Sequence, residues 1–264
     1  MKGRLEAILR ILRYADREVK VDELSSLLNV SEATIRRDLE RLERDGKIVR
    51  TYGGALLRRE PISPVLRRKM RENLREKMEI ARAAVGLINN HETIILCDGT
   101  TTYQIAVLLK ESSLELRVIT NDLNIALELA EAEQIETIII GGKITGHYSI
   151  GGYLGEKVVE FIHDTNSSID KAFIGADAVD LEEGLTTFGK GDVNIVNLMA
   201  RLAKEVIAVV DHTKFGKAKF IPLLPLDQVD LIITDSGIPE KVVEAYRSKG
   251  VPIIVAEPLS IQTL

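Results

Sequence analysis

Six short stretches in the later part of the sequence combine small, polar and charged residues in a way that suits anion and hydroxyl binding. They are Asp98-Gly99-Thr100-Thr101-Thr102, Asn121-Asp122, Gly141-Gly142-Lys143, Gly175-Ala176-Asp177, Asp211-His212-Thr213-Lys214 and Asp235-Ser236-Gly237. In "ILCDGTTTYQIAVLL" (residues 95–109) an apolar run stops at an acid and a glycine, three threonines follow, and a helical pattern begins. Gly99 permits a tight turn. The amides of Thr100, Thr101 and Thr102 then stand at a helix N-terminus, where unbonded N–H groups and the helix dipole favour an anion. The threonine hydroxyls add neutral donors. Asp98 repels phosphate but suits a sugar hydroxyl, and Lys143 or Lys214 supplies positive charge.

A second arrangement suits a different polyanion. Thr34, Arg37, Arg41 and Arg44 recur at i, i+3, i+7 and i+10, with Arg36 beside them. On a helix this spacing makes one exposed stripe. Guanidinium groups bond phosphates, or guanine O6 and N7 in bidentate fashion. The interspersed Asp38, Glu40 and Glu43 fit equally an ordinary salt-bridged helix.

These residues need elements to position them. Each of the six stretches closes a β-rich run: "TIILCDG", "LRVITND", "TIIIGGK", "KAFIGAD", "VIAVVDHTK" and "LIITDS"; "PIIVA" is a seventh run. Helical patterns over residues 103–110, 123–133, 194–204 and 239–249 separate most of them. Continuous β-branched runs imply strands buried on both faces, hence a mainly parallel sheet covered by helices. Parallel strands put their carboxyl ends on one edge, where open α/β sheets bind ligands. At the front, Leu5, Ile8, Leu9 and Leu12 mark a helix over residues 3–15, and "VDELSSLLNV" a second with Leu24, Leu27 and Leu28 on one face. The third, "SEATIRRDLERLERDG", has Ser31 as N-cap, an inward face of Ile35, Leu39 and Leu42, and Gly46 as its end. A tight turn between two short helices is a helix-turn-helix signature. "KIVRTYGGALLRR" then reads as a hairpin wing turning at Tyr52-Gly53-Gly54, with Lys47, Arg50 and Arg58 available to a nucleic-acid backbone.

The bulk numbers fit this division. The chain has 264 residues, 45% of them hydrophobic, enough for a real core. With no tryptophan and 4% aromatics, that core is aliphatic. The net charge of −5 splits into +7 over residues 1–78 and −12 over residues 79–264. A basic front on an acidic body points the front at a polyanion. A single cysteine excludes an internal disulfide and a cysteine-rich zinc site. The charged start does not resemble a signal peptide, and no run approaches the ~18 apolar residues of a membrane span. A cytoplasmic protein with no membrane partner is expected.

"SEATIRRDLERLERDGKIVRTYGGA" resembles the winged helix-turn-helix of the DeoR family of bacterial transcriptional regulators. The resemblance implies that Thr34, Arg36 and Arg37 belong to a DNA-reading helix and that Tyr52, Gly53 and Gly54 form the wing; the cap Ser31 and the stripe residue Arg41 are expected at the same interface. "DGTTT", "VITNDLNIA", "IIIGGK", "DKAFIGADAVD", "GLTT" and "DHTKFGK" are similar to the sensor domain of the same family, whose fold is related to ribose-5-phosphate isomerase and binds phosphorylated sugars. The effector residues it implies are Asp98, Gly99, Thr100, Thr101, Thr102, Asn121, Gly141, Gly142, Lys143, Asp177 and Lys214. Two segments depart from the family: "GGKITGHYSIGG" has Thr145, Gly146 and His147 where an arginine is usual, and "FGKGDVNIVNLM" has lysine and asparagine in place of acids.

The expected architecture is a two-domain chain. A small α+β winged helix-turn-helix occupies residues 1–57, a linker and connecting helix residues 58–78 (Pro61 and Pro64 break regular structure), and a larger α/β domain with a mainly parallel sheet residues 79–264. The expected function is a repressor of sugar-metabolism genes that binds operator DNA as a homodimer or homotetramer and answers to a phosphorylated sugar, with no cofactor and no metal. The alternative is an aldose–ketose isomerase fused to a DNA-binding front, using Asp98, Asp177 and Lys214 for proton transfer and enediolate stabilisation. "GLTTFGKG" (residues 184–191) has near P-loop spacing but ends in glycine where Ser or Thr must hold magnesium. His91, His147, His163 and His212 lack metal-ligand spacing. Cys97 reads as a small core residue.

Overall fold

The computed structural model describes residues 2–15, 17–57, 64–144, 149–164, 168–188 and 193–259. Arg58, Pro61, Thr145, Gly146, His147 and the end of the P-loop-like stretch lie outside them. The chain divides into two compact units, Met1–Ile62 and Ser63–Leu264.

The first unit runs α1 (Lys2–Ala15), β1 (Val19–Lys20), α2 (Val21–Leu28), α3 (Glu32–Arg44), β2 (Ile48–Arg50) and β3 (Gly54–Leu57). The apolar stripes expected of the three helices meet in one core, with Ile8, Leu12, Leu24, Ile35, Leu39 and Leu42 buried. Asn29 takes the left-handed conformation (φ 52°) that turns α2 into α3. Ser31 caps α3, accepting from the Thr34 amide at 3.4 Å. The wing is not a bare hairpin. Its sheet has the order β1-β3-β2, because Val19 pairs with Ala55 and Lys20 with Gly54. Gly54 allows this approach: a Cβ there would stand 2.2 Å from the Val19 carbonyl oxygen. Arg4 of α1 reaches buried Asp38 on α3 at 2.5 Å, tying the two helices together.

The second unit opens with α4 (Pro64–Arg71) and α5 (Leu74–Val85). β4 (Thr93–Leu96), α6 (Thr100–Glu111), β5 (Leu116–Thr120), α7 (Leu123–Leu129) and β6 (Ile135–Ile139) follow. Then come β7 (Lys143–Ile144), β8 (Ile150–Gly151), α8 (Gly152–Asp164), β9 (Ile169–Ile174), β10 (Ala178–Asp180), β11 (Gly184–Thr187), α9 (Val193–Leu202) and β12 (Ala203–Val209). β13 (Ile221–Leu224), β14 (Leu231–Thr234), α10 (Glu240–Ser248) and β15 (Ile253–Val255) complete it.

The seven β-rich runs of the sequence form one sheet, order β15-β14-β12-β9-β4-β5-β6, and every pairing in it is parallel. Alternation along each strand sends side chains to opposite faces. Ile94 and Leu96 join Ile80 and Ala84 of α5 and Ile105 and Leu109 of α6 in one core. Ile95 and Cys97 join Val159 of α8, Met199 of α9 and Tyr246 of α10 in the other. Both faces are therefore covered, which is why these strands read as unbroken apolar runs. Two small antiparallel sheets, β10-β11-β13 and β7-β8, decorate the carboxyl edge. Among the described residues no helix is long and apolar enough to cross a membrane.

Candidate functional site

The strand order points to a candidate site. From β4 the chain steps outward through β5 and β6, then returns to the other side of β4 and steps through β9, β12, β14 and β15. The direction of winding reverses between β4 and β9, and a crevice outside the strand ends is expected where it does. Asp98 follows β4 and Asp177 follows β9, so the two acids singled out in the sequence flank this reversal.

On the β4 side the groups are locked together. The Asn121 side chain accepts from the Asp98 amide at 2.8 Å and donates to the Asp98 carboxylate at 3.0 Å. It also lies 3.4 Å from the Ser149 hydroxyl, and the Asn121 backbone carbonyl accepts from the Ile150 amide at 2.6 Å. Thr120 anchors the β5 end by donating to the Leu96 carbonyl at 2.7 Å. The N-terminus of α6 has no side-chain cap, so an anion can meet its leading amides directly. The threonines divide their work differently from the expectation. Thr102 is fully buried and donates its hydroxyl to the Gly99 carbonyl at 2.9 Å; Thr101 is also buried; Thr100 is part-exposed. Asp122 caps α7 through the Asn124 amide and lies 3.4 Å from the Gly99 amide. Burial pushes its carboxyl up to about 6 against the pull of the Asn124 amide donors, and the Asp98 charge adds to the rise.

On the β9 side Asp177 is an occupied acceptor. Its Oδ2 takes the Thr187 hydroxyl at 2.9 Å and the Phe188 amide at 3.1 Å, while Oδ1 faces the Lys69 ammonium at 3.2 Å. Burial pushes this carboxyl up, but the Phe188 amide, the Lys69 charge and the Thr187 hydroxyl outweigh it and hold it below the usual range. A carboxylate so stabilised is a good hydroxyl acceptor and a poor proton shuttle at neutral pH.

Beyond β12 stands a turn that caps itself. Buried Asp211 accepts from the Thr213 amide and hydroxyl and from the Asn73 side chain at 3.1 Å; among the described residues its Oδ2 has no hydrogen-bond partner, and the Lys214 ammonium lies 3.9 Å away. Beside it, His212 bonds Asp235 at 2.7 Å. Lys77 is buried among these groups and donates to the Lys69 and Glu72 carbonyls, both at 2.5 Å. Burial pulls its ammonium down to about 8; nearby Asp211 opposes the drop and Lys214 deepens it.

The structure thus brings Asp98, Gly99, Thr102 and Asn121 together, Asp98 bonded to Asn121 and Gly99 to Thr102, with Thr100 part-exposed at the start of α6. Gly141, Gly142 and Lys143 lie farther out, after the edge strand β6, with β5 between them and β4. Among the described residues no ion pair links Lys143 to the rest. Gly142 serves the β7-β8 fold, since a Cβ there would stand 2.6 Å from the Gly151 carbonyl oxygen. Lys69, Asn73 and Lys77 were not anticipated. Lys77 had a signal: at i, i+3, i+4 and i+7 it shares a face with Ile80, Ala81 and Ala84, and a lysine on an apolar face needs a reason. Cys97 is buried, and burial pushes its thiol well up, as suits a core residue. Two concavities, about 290 Å³ beside Phe215 and Tyr246 and about 360 Å³ between α8 and α9, contain none of the expected effector residues.

In the first unit α3 presents Arg36, Arg37, Arg41 and Arg44 to solvent. Arg36 pairs with Glu32 at 3.1 Å. Among the described residues, no carboxylate is paired with Arg37, Arg41 or Arg44. The Thr34 hydroxyl lies 2.9 Å from that of Ser31, so these two serve the cap first. Tyr52 stands fully exposed at the wing tip with Gly53 open beside it, whereas Gly54 is buried in β3. Arg50 is drawn back onto Glu40 at 3.4 Å and Glu43 at 3.7 Å.

Comparison with known proteins agrees with both halves. Residues 4–60 match the family described as the DeoR-like helix-turn-helix domain, and residues 72–236 match the DeoR C terminal sensor domain. The HTH-type transcriptional repressor GlcR of Bacillus subtilis is 33% identical over 96% of this chain and 96% of its own. The lactose phosphotransferase system repressor of Lactococcus lactis subsp. lactis is 36% identical over 93% and 95%. The HTH-type transcriptional regulator GolR of Listeria innocua is 35% identical over 91% and 93%. Ribose 5-phosphate isomerase A from Methanocaldococcus jannaschii is similar at a TM-score of 0.41, with 21% identity over 55% of this chain and 56% of that one; nothing about activity follows from a likeness that slight. Relatives matched over nearly their whole length are regulators, and the isomerase alternative gives way to them. The chain belongs to the DeoR family of transcriptional regulators, a DNA-reading helix-turn-helix unit followed by a sensor domain.

Proposed function

We propose that the sensor domain binds a phosphorylated sugar at the carboxyl edge of its sheet and that this changes the affinity of the first unit for operator DNA. The phosphate meets the uncapped N-terminus of α6 at Thr100 to Thr102, with Lys214 supplying charge. Sugar hydroxyls bond Asp98 and Asp177, and Asn121 lines the site by aiming Asp98. Gly141 to Lys143 form the outer rim. α3 reads the major groove with Arg37 and Arg41, flanked by Ser31, Thr34 and Arg36, while Tyr52 and Gly53 lie along the backbone and Gly54 holds the wing to β1. The protein acts in the cytoplasm as a repressor of sugar-metabolism genes, as a homodimer or homotetramer, since helix-turn-helix proteins bind paired half-sites. The observation that carries this reading is the convergence of Asp98 and Asp177 on the reversal between β4 and β9, beside a helix terminus with no side-chain cap. A coupling of about 1–3 kcal/mol between effector and operator is sufficient.

The test is a thermal-shift screen of the full chain against fructose 6-phosphate, fructose 1-phosphate, ribose 5-phosphate and glycerol 3-phosphate, followed by operator titrations with any binder. At least one compound raises the melting temperature of the wild type but not of Asp177→Asn, and changes operator affinity. No shift from any compound, or sustained isomerisation abolished by Asp177→Asn, defeats the reading.

A further inference from the structure

The carboxylate assigned to the effector already has a cationic occupant. Asp177 Oδ2 is filled by Thr187 and Phe188, and the approach that remains, to Oδ1, is the one Lys69 holds at 3.2 Å. A carboxylate offers about four acceptor positions, and those still open lie on the Lys69 side. Lys69 belongs to α4, which packs on α6. Leu66 is the one buried residue among its described side chains, near the opposite end. The turn after α4 is held from two sides: Lys77 of α5 donates to the Lys69 and Glu72 carbonyls, and Asn73, in the left-handed conformation, donates to Asp211 and Thr213 beyond β12. In chain order α4 is the first helix after the DNA-reading unit, with residues 58–63 between it and β3.

We propose that Lys69 is an internal occupant of the effector site: it covers the acceptor positions on Asp177 that an effector hydroxyl takes, and effector binding releases the C-terminal half of α4. The inference rests on the reading of Asp177 as an effector ligand. The Lys69–Asp177 pair is part-exposed on both sides, and such pairs are weak, so a sugar hydroxyl can exchange with it at little cost. The freed helix leads directly back along the chain to the DNA-reading unit. Occupancy of the strand edge is thereby converted into a change in the segment that precedes it.

Hydrogen–deuterium exchange on the full-length protein tests this through the peptides that cover α4. Lys69→Gln speeds exchange there by about fivefold without any ligand, while Lys69→Arg, which keeps the charge, exchanges like the wild type. Peptides from α9 and α10 stay unchanged in both variants, which separates release of α4 from general loss of structure. Adding to the wild type whichever of the four sugar phosphates binds in the thermal-shift screen speeds α4 in the same way. Equal exchange of α4 in Lys69→Gln and the wild type overturns the proposal, and so does a bound sugar phosphate that slows α4 or leaves it unaltered. If none of the four binds, the effector reading falls and takes this inference with it. If one binds and α4 does not respond, only the inference falls.

Discussion

Asn121 and Asp98 hold each other by two hydrogen bonds across the ends of β5 and β4, one through the Asp98 amide at 2.8 Å and one through its carboxylate at 3.0 Å. Asn121 is 1% exposed, so its role is to aim the acid rather than to meet solvent. Removing a buried partner of this kind costs about 1–3 kcal/mol. Asn121→Ala is expected to weaken sugar-phosphate binding by about tenfold or more in calorimetric titration. Operator binding without sugar phosphate stays as it was. A variant that binds the compound as tightly as the wild type takes Asp98 out of the site.

Arg37 is exposed on α3 and has no carboxylate partner among the described residues, unlike Arg36, which is held by Glu32. Arg37→Ala should cost about 1–3 kcal/mol of operator affinity if it reads a base, or lower the salt slope by about one if it meets a phosphate. The thermal shift given by a sugar phosphate is unaltered. Affinity unchanged at matched salt contradicts a DNA-reading role.

Lys77 gives a pH signature. Its folded value of about 8 lies below the 10.5 of a free lysine, so the unfolded chain binds more protons between these values and stability rises with pH there. Holding the buried charge costs about 3 kcal/mol at pH 7 and about 1 kcal/mol at pH 9.5. Comparing wild type with Lys77→Met in urea unfolding, the balance should move toward the wild type by about 2 kcal/mol between those pH values. A pH-independent difference means that Lys77 is solvated.

Gly54→Ala tests the wing. The added methyl would lie 2.2 Å from the Val19 carbonyl oxygen, which the β1–β3 pairing fixes in place. We expect about 1–3 kcal/mol of destabilisation, confined to the first unit. Operator affinity falls while the melting of the sensor domain is untouched. Gly53→Ala meets no atom within 4 Å and is mild.

Much of the fold was legible because its signals are local and strong. The seven aliphatic runs became the seven parallel strands, and Ser31 capped the helix its hydroxyl marked. β1 escaped because two residues, Val19 and Lys20, carry no periodicity, and only the distant Ala55 and Gly54 make them a strand. The polar strand ends were readable as a set, but their division of labour was not. Thr102 and Thr100 look alike in sequence; one is buried bonding Gly99 and the other is part-exposed. Lys69 and Lys77 sit in a run of basic residues that resembles a solvated surface. Their importance comes from Asp177 and Asp211, over a hundred positions away in the chain.

The reversal between β4 and β9 also sets an order of assembly. A growing chain releases Asp98 and its threonines with β4, then β5 and β6, well before β9 and Asp177 are made. Domains fold as their segments emerge, and contacts between distant segments form late. The strand edge is complete only once β9 has inserted against β4 as the sheet's later half is added. On the proposed reading, a chain made only as far as β6 holds Asp98 without Asp177 and so lacks half of the effector site.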